Sequence, residues 1–415
     1  MKVLIATAGS RGDVAPYTGL GASLRDAGHE VVLAATPSFA AMAASAGLDF
    51  RPLPADPGAH GDARGNRHLL RAASAFLAQL GEGFAAAVDE DTDLLLLSTT
   101  TAPLGWHVAE ARGTPSMGVY LQPTTPTVDF APPVGAARSL GRLGNRAAGR
   151  LTLRMTDRVY APAVARLRAR LGLPALPPGQ MRRRQNEARW PVFHGFSTAL
   201  VPRPSDWESH LTVTGSWWPH TDPSLPLPAE LEAFLAAGPA PVLVGFGSMA
   251  TGHGPRLSAL AVQALRQAGL RGVLQSGAAS LAAAGDDILT IGDVPHSALF
   301  PRLAAVVHHA GAGTSAAALR AALPSVTVPV TADQPFWAAR LAMMGAAPSP
   351  LPFSTLTGDN LAAALSAATR DPSYTRAATA AQRHMATEKS AAAVVAAVER
   401  LAGQGETRQR PTPRD

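Results

Sequence analysis

The sequence predicts an α/β protein of two doubly wound domains facing each other across a cleft. Short, fully apolar runs alternate with helical patterns, the alternation starts twice, at Val3 and again at Val242, and a proline-rich stretch separates the two series. Strands apolar on both faces belong to parallel sheets covered by helices on both sides. At roughly 150 residues per domain, the 415 residues supply two or three cores.

The first series opens with Val3-Leu4-Ile5-Ala6-Thr7-Ala8, stopped by Gly9. A helical pattern follows from Asp13 to Gly28, and Val31 to Ala35 completes a strand, helix, strand unit. Further strands are expected at Leu94–Leu97 and Ser116–Leu121. The second series runs through Val242 to Ser248, Val273-Leu274, Ile288-Leu289, Ala305 to Val307 and Val326 to Val328. Pro219, Pro223, Pro226, Pro228, Pro239 and Pro241 mark the linker. The expected organisation is an N-terminal domain over 1–218, a linker over 219–240, a C-terminal domain over 241–375, a helical segment over 376–403 and a disordered tail over 404–415.

Composition excludes several classes. Without cysteine there is no disulfide framework, thiolate metal site or cysteine nucleophile. Of 36 basic residues all but Lys2 and Lys389 are arginine, and the net charge of +6 is a weak field for a nucleic-acid binder, though ample for an anionic small ligand. No run approaches the ~20 apolar residues of a membrane helix, and Gly9, Arg11 and Asp13 interrupt the N-terminal apolar run too early for a signal peptide. The expected location is cytoplasmic.

One stretch stands apart. Arg138, Arg142, Arg146, Arg150, Arg154 and Arg158 recur every four residues and form a slowly winding ridge on a helix, either a solvated face or a rim that attracts an anionic partner, with Arg182-Arg183-Arg184 as an addition.

Three motifs carry chemistry. Gly9-Ser10-Arg11-Gly12-Asp13 lies at the carboxyl end of the first strand, where open parallel sheets bind ligands. Asp13 is either the cap of the next helix or a carboxylate that takes a proton from a hydroxyl, and Arg11 suits a phosphate. In His308-His309-Ala310-Gly311-Ala312-Gly313-Thr314 the glycines let backbone amides approach a diphosphate. Adjacent strand residues point to opposite faces, so the two histidines do not share a metal, and His309 is the one expected at the ligand. Asp333-Gln334 offers acceptors and donors to sugar hydroxyls, with a helix cap as the alternative for Asp333. A rival reading exists: Gly311 to Ala316 also fits the dinucleotide pattern, with Asp333 at 22 residues beyond Gly311 as the ribose acid of an NAD-dependent oxidoreductase.

Taken together, Gly9 to Pro16 and the segment from Gly292-Asp293-Val294-Pro295-His296 through Gly345 resemble the nucleotide-sugar-dependent glycosyltransferases of family 1, of GT-B fold. The resemblance is greatest to the bacterial branch that glycosylates antibiotics, with sterol and flavonoid glucosyltransferases as relatives, and spans nearly the whole chain. It implies an inverting transfer from a dTDP- or UDP-sugar to a hydroxyl of an apolar aglycone. Asp13 would be the general base, and Ser10, Arg11, Ser248, His309, Gly311, Gly313 and Thr314 would lie at the diphosphate. Val294 would meet the base, and Asp333 and Gln334 the sugar. It implies no metal and no cofactor, the donor serving as co-substrate, and a last helix that crosses back onto the first domain. Acceptor contacts are expected from loops over 52–80 and 122–196, with Phe76, Phe130, Trp190 and Phe193 as candidates. Ala310, Ala322 and Ala346 stand where the family often has glycine, and Ala317 where plant relatives carry glutamate. Ala310 lies within the phosphate turn, which leaves a catalytically inactive donor-binding auxiliary protein as an alternative.

Overall fold

The computed structural model describes residues 1–53, 66–135, 138–222, 225–247 and 252–409, with backbone alone for 66–74 and 404–409. The N-terminal domain contains β1 (Lys2–Ala6), α1 (Arg11–Asp26), β2 (Glu30–Ala35), α2 (Ala40–Ser45), β3 (Asp49–Pro52), α3 (Asn66–Ala87), β4 (Leu94–Leu97), α4 (Ala102–Arg112), β5 (Ser116–Tyr120), α5 (Gly141–Arg170), α6 (Gln180–Glu187), β6 (Val192–His194) and β7 (Leu211–Val213). The C-terminal part contains α7 (Ala229–Ala236), β8 (Val242–Gly245), α8 (Gly254–Ala268), β9 (Gly272–Gln275), β10 (Ile288–Ile291), α9 (His296–Leu299), β11 (Ala305–His308), α10 (Ala312–Arg320), β12 (Ser325–Thr327), α11 (Gln334–Met343), α12 (Gly358–Arg370), α13 (Pro372–Met385) and α14 (Ala392–Gln409).

Both sheets are parallel throughout, in the orders β3-β2-β1-β4-β5-β6-β7 and β10-β9-β8-β11-β12. Two Rossmann-like domains result, each with a reversal of strand order, between β1 and β4 in one and between β8 and β11 in the other. At such a reversal the loops leave in opposite directions and open a crevice outside the carboxyl ends of the strands. The apolar runs explain the core: Val3, Leu4, Ile5 and Ala6 alternate between two buried clusters, one on each face of the first sheet.

The proline-rich span is not linker throughout. Pro228 caps α7, Glu230 and Glu232 occupy its first turn, and Leu231 and Leu235, one turn apart, pack with Leu243 and Val273 of the second domain. After α13 the chain returns to the first domain. Ser390 N donates to Thr214 O at 2.7 Å, and α14 places Val394, Ala397 and Val398 in the cluster around Val3 and Ile5. Each buried valine contributes about 1.5–3 kcal/mol, enough to fix the segment. The backbone of α14 stays helical to Gln409, six residues into the span expected to fray, because Glu406, Arg408 and Gln409 are good helix formers. Residues 410–415 lie outside the described residues. Among those described, no helix is long and apolar enough to cross a membrane.

Candidate active site

The turn after β1 is shaped around one carboxylate. Gly9 has φ +146°, and a Cβ there would fall 2.5 Å from Asp13 Oδ2, so glycine makes room for the side chain to fold back. Asp13 Oδ2 accepts from Ser10 N and Ser10 Oγ, both at 2.9 Å, which closes a capping box on α1. The same residue lines the cleft between the domains, so cap and cleft carboxylate coexist. Burial pushes its pKa up, the Ser10 bonds pull it down, and the charge of Asp333 across the cleft raises it again. Arg11, at the start of α1, reaches over the cleft to pair with Asp293, whose other oxygen accepts from Gln275 Nε2 at 3.1 Å.

The turn after β11 has the same outline and different chemistry. His308 points into the second domain, where its Nδ1 accepts from Ala310 N at 3.2 Å and burial lowers its pKa to about 3. His309 faces the cleft with a buried Nδ1 that has no partner among the described residues, and burial lowers its pKa to about 4. Its imidazole fits in a slot between two glycines: a Cβ on Gly247 would lie 2.5 Å from Cε1, and one on Gly311 would lie 2.6 Å from Nε2. Gly311 is the N-cap of α10 and offers no side-chain cap, so the amides of its first turn, beside Gly313 and Thr314, stay open to an anion. Ala310 adopts φ +60°, a left-handed conformation that costs a non-glycine residue about 1–2 kcal/mol. Its Cβ is fully buried in the core cluster and away from the cleft, so the alanine strains the turn without narrowing the ligand site. Ala322 carries the same strain at φ +56°.

Asp333 holds the N-cap position of α11 without a side-chain cap bond, and its Oδ2 accepts from Trp337 Nε1 at 2.8 Å instead; burial raises its pKa and the indole bond lowers it. Gln334 Oε1 accepts from Val330 N at 2.8 Å and Thr331 N at 3.1 Å, which stiffens the loop beside Asp333. Asp333 stands six residues past the end of β12 and interacts with Asp13 of the other domain, whereas a dinucleotide ribose acid sits at the end of its own domain's second strand. Val294 lines the cleft just before α9. Ser248 lies outside the described residues.

The cleft encloses about 1980 Å³ and takes in the carboxyl ends of both sheets. It gathers Ser10, Arg11, Asp13, Val294, His309, Gly311, Gly313, Thr314, Asp333 and Gln334, which no local stretch of sequence places together.

The acceptor candidates do not line it. Phe76 packs against the core cluster, and Phe130 lies 5.5 Å from the Phe336 ring with the Arg340 guanidinium 4.9 Å above it. Trp190 is buried under Gly118 with Nε1 donating to Ser116 Oγ at 3.1 Å. Phe193, on β6, points into the core on the far face of the sheet. Residue type and loop-like surroundings point to these aromatics, but strand and helix packing buries Phe130, Trp190 and Phe193 and half-buries Phe76. The apolar wall is built by Phe39, Tyr120, Met181, Phe196, Leu200 and Trp217. Tyr120 ends β5 and Gln122 follows the strand expected at Ser116–Leu121, so the strand-end rule that marks Asp13 applies to them equally.

Residues 3–95 match the glycosyltransferase family 28 N-terminal domain, and residues 273–401 match the C-terminal domain of the erythromycin biosynthesis protein CIII-like family. The chain is 36% identical over 394 residues to the O-mycaminosyltylonolide 6-deoxyallosyltransferase of Streptomyces fradiae, with 90% of each chain covered. The solved structure of the kitacinnamycin glycosyltransferase superposes with a TM-score of 0.74 at 21% identity, covering 96% of this chain and 98% of that one. That of the glycosyltransferase VinC in complex with dTDP superposes with a TM-score of 0.64 at 22% identity, covering 97% and 100%. With two Rossmann-like domains, one shared cleft and similarity along nine-tenths of its length, the chain belongs to the family 1 glycosyltransferases of GT-B fold and is a glycosyltransferase.

Proposed function

We propose that the chain transfers a sugar from a uridine or thymidine diphosphate sugar to a hydroxyl of an apolar natural-product aglycone, with inversion at the anomeric carbon. The observation that carries this reading is the division of the cleft: a desolvated carboxylate, Asp13, on one wall, and an uncapped helix N-terminus with a neutral histidine on the other. In the proposed reaction Asp13 takes the acceptor proton as the acceptor oxygen attacks the anomeric carbon. The bond to the diphosphate breaks in the same step, and a single displacement inverts the configuration. The charge growing on the departing phosphate oxygen is met by the His309 N–H and the first-turn amides of α10, which favour the transition state over the bound donor. Charge is met by N–H groups throughout, so the scheme uses no metal. Asp333 and Gln334 are assigned to the sugar hydroxyls, and the apolar wall around Tyr120 and Phe196 to the aglycone. The donor does not cross membranes unaided, so this reading places the reaction in the cytoplasm.

Mass spectrometry of products from UDP-glucose and a dTDP-deoxysugar, offered with polyketide, sterol and flavonoid acceptors, tests the reading, and the anomeric coupling constant of the product reports inversion. A retained anomeric configuration, or full turnover by a folded Asp13→Ala variant, overturns it.

A further inference from the structure

The longest helix among the described residues, α5, carries a surface that catalysis does not use. The solvent face of α5 is built from one dipeptide repeated at each turn: Arg142-Leu143, Arg146-Ala147, Arg150-Leu151 and Arg154-Met155, closed by Arg158. All nine residues are exposed, Leu143 to 86%. Over about 24 Å of helix the face holds guanidinium and hydrocarbon and nothing else. Among the described residues, five of the seven exposed large apolar side chains fall between 134 and 155: Val134, Leu140, Leu143, Leu151 and Met155. Asp157, the one acidic residue from 138 to 170, is turned inward onto Arg182 Nε at 2.7 Å. Arg142 and Arg146 lie 3.6 and 4.0 Å from Asp129 and Asp206, while Arg150, Arg154 and Arg158 have no ion pair with any described residue.

We propose that this face docks on an anionic phospholipid surface, with its arginines among the phosphates and its leucines and Met155 in the acyl boundary. Three successive arginines without a counter-ion among the described residues call for an anionic partner, and apolar side chains along the same face call for one that also removes them from water. A bilayer interface supplies an anionic layer and a hydrocarbon layer within about 5–10 Å of each other, along the whole row and without shape matching. An acidic protein patch would meet the arginines and leave the leucines against charge. The position on the helix fits: Thr152, Leu153 and Thr156, on the side of α5 turned from solvent, line the cleft beside Val134. Docking would therefore hold the acceptor side of the cleft at the membrane, where an apolar aglycone partitions. This last consequence rests on the proposed function; the surface itself does not.

Flotation of the full chain with phosphatidylcholine vesicles, and with vesicles enriched in phosphatidylglycerol, tests it. Flotation is expected only with the anionic vesicles and should weaken as salt rises. Arg150→Glu/Arg154→Glu and Leu143→Asp/Leu151→Asp should each lower partitioning roughly tenfold or more, while the melting temperature and turnover on a water-soluble acceptor stay unchanged. Equal binding to both vesicle types, no binding at low salt, or a wild-type dimer in light scattering that Leu143→Asp/Leu151→Asp converts to monomer would overturn it, the last by assigning the face to a second copy of the chain. Flotation without any sugar transfer would remove the proposed function and leave the surface standing; transfer without flotation would do the reverse.

Discussion

The turns after β1 and β11 share a backbone plan and differ in how the following helix begins. At α1 the N-terminus is closed by its own side chains: Ser10 and Asp13 satisfy the capping positions and place a negative charge on the first turn. At α10 the cap is Gly311, no described side chain caps the amides, and the neighbouring side chain is a histidine kept neutral by burial. A carboxylate at the first turn repels a diphosphate, and an open N-terminus attracts one. The same motif thus makes a proton acceptor on one wall and an anion site on the other. Ser10 Oγ, expected at the diphosphate, donates to Asp13 Oδ2 at 2.9 Å.

Breaking the first wall should have the largest effect. Asp13→Ala removes the proton acceptor, and steady-state kinetics should show turnover lower by on the order of 10²–10⁴-fold. Calorimetry with UDP or dTDP should show donor-nucleotide binding retained. On the second wall, His309→Ala removes one hydrogen bond to the leaving phosphate, worth about 1–3 kcal/mol, so turnover should fall roughly 5- to 150-fold and donor affinity less. Activity of the wild type should ignore EDTA.

His308, on the other face of β11, sharpens the contrast because its role is structural. Its folded-state pKa of about 3 lies below the ordinary 6.5, so the unfolded chain takes up the proton first. Its stability contribution is complete above about pH 6.5 and is lost as pH falls toward 3, at a slope of at most ~1.4 kcal/mol per pH unit. In His308→Asn, whose amide oxygen can still accept from Ala310 N, chemical denaturation between pH 6.5 and 4.5 should show a pH slope shallower by up to that amount, with turnover nearly unchanged.

Smaller effects follow from the supports of each turn. Asp13 titrates above an ordinary carboxylate, so the acid limb of kcat/KM should lie above the usual aspartate range. Ser10→Ala removes a hydrogen bond to the charged form and should move that limb to higher pH. A limb that stays in place would detach Asp13 from the limb. Ala310→Gly relieves a left-handed alanine at the cost of a small buried methyl group, so stability should change by about 1 kcal/mol or less and turnover by less than twofold, read by thermal melts and kinetics.

The sequence by itself carried whatever depends on neighbours along the chain. Apolar runs stopped by glycine mark β1, β8 and β11 with their turns, because a strand buried on both faces admits only apolar residues and a sharp exit to a helix needs glycine. Asp13, His309, Gly311, Gly313 and Asp333 are legible for that reason. The tertiary structure decided what depends on distant partners. β3, β6 and β7 are three or four residues long and exist because a neighbouring strand offers its edge, so no periodicity announces them. Phe130, Trp190 and Phe193 are aromatics of the kind that line apolar sites, and only the packing of Phe336, Gly118 and the far face of the first sheet buries them instead. Arg11 finds Asp293 from 282 residues away and Asp13 feels Asp333 from the opposite domain, because burial and charge act through space while sequence patterns record only what is near along the chain.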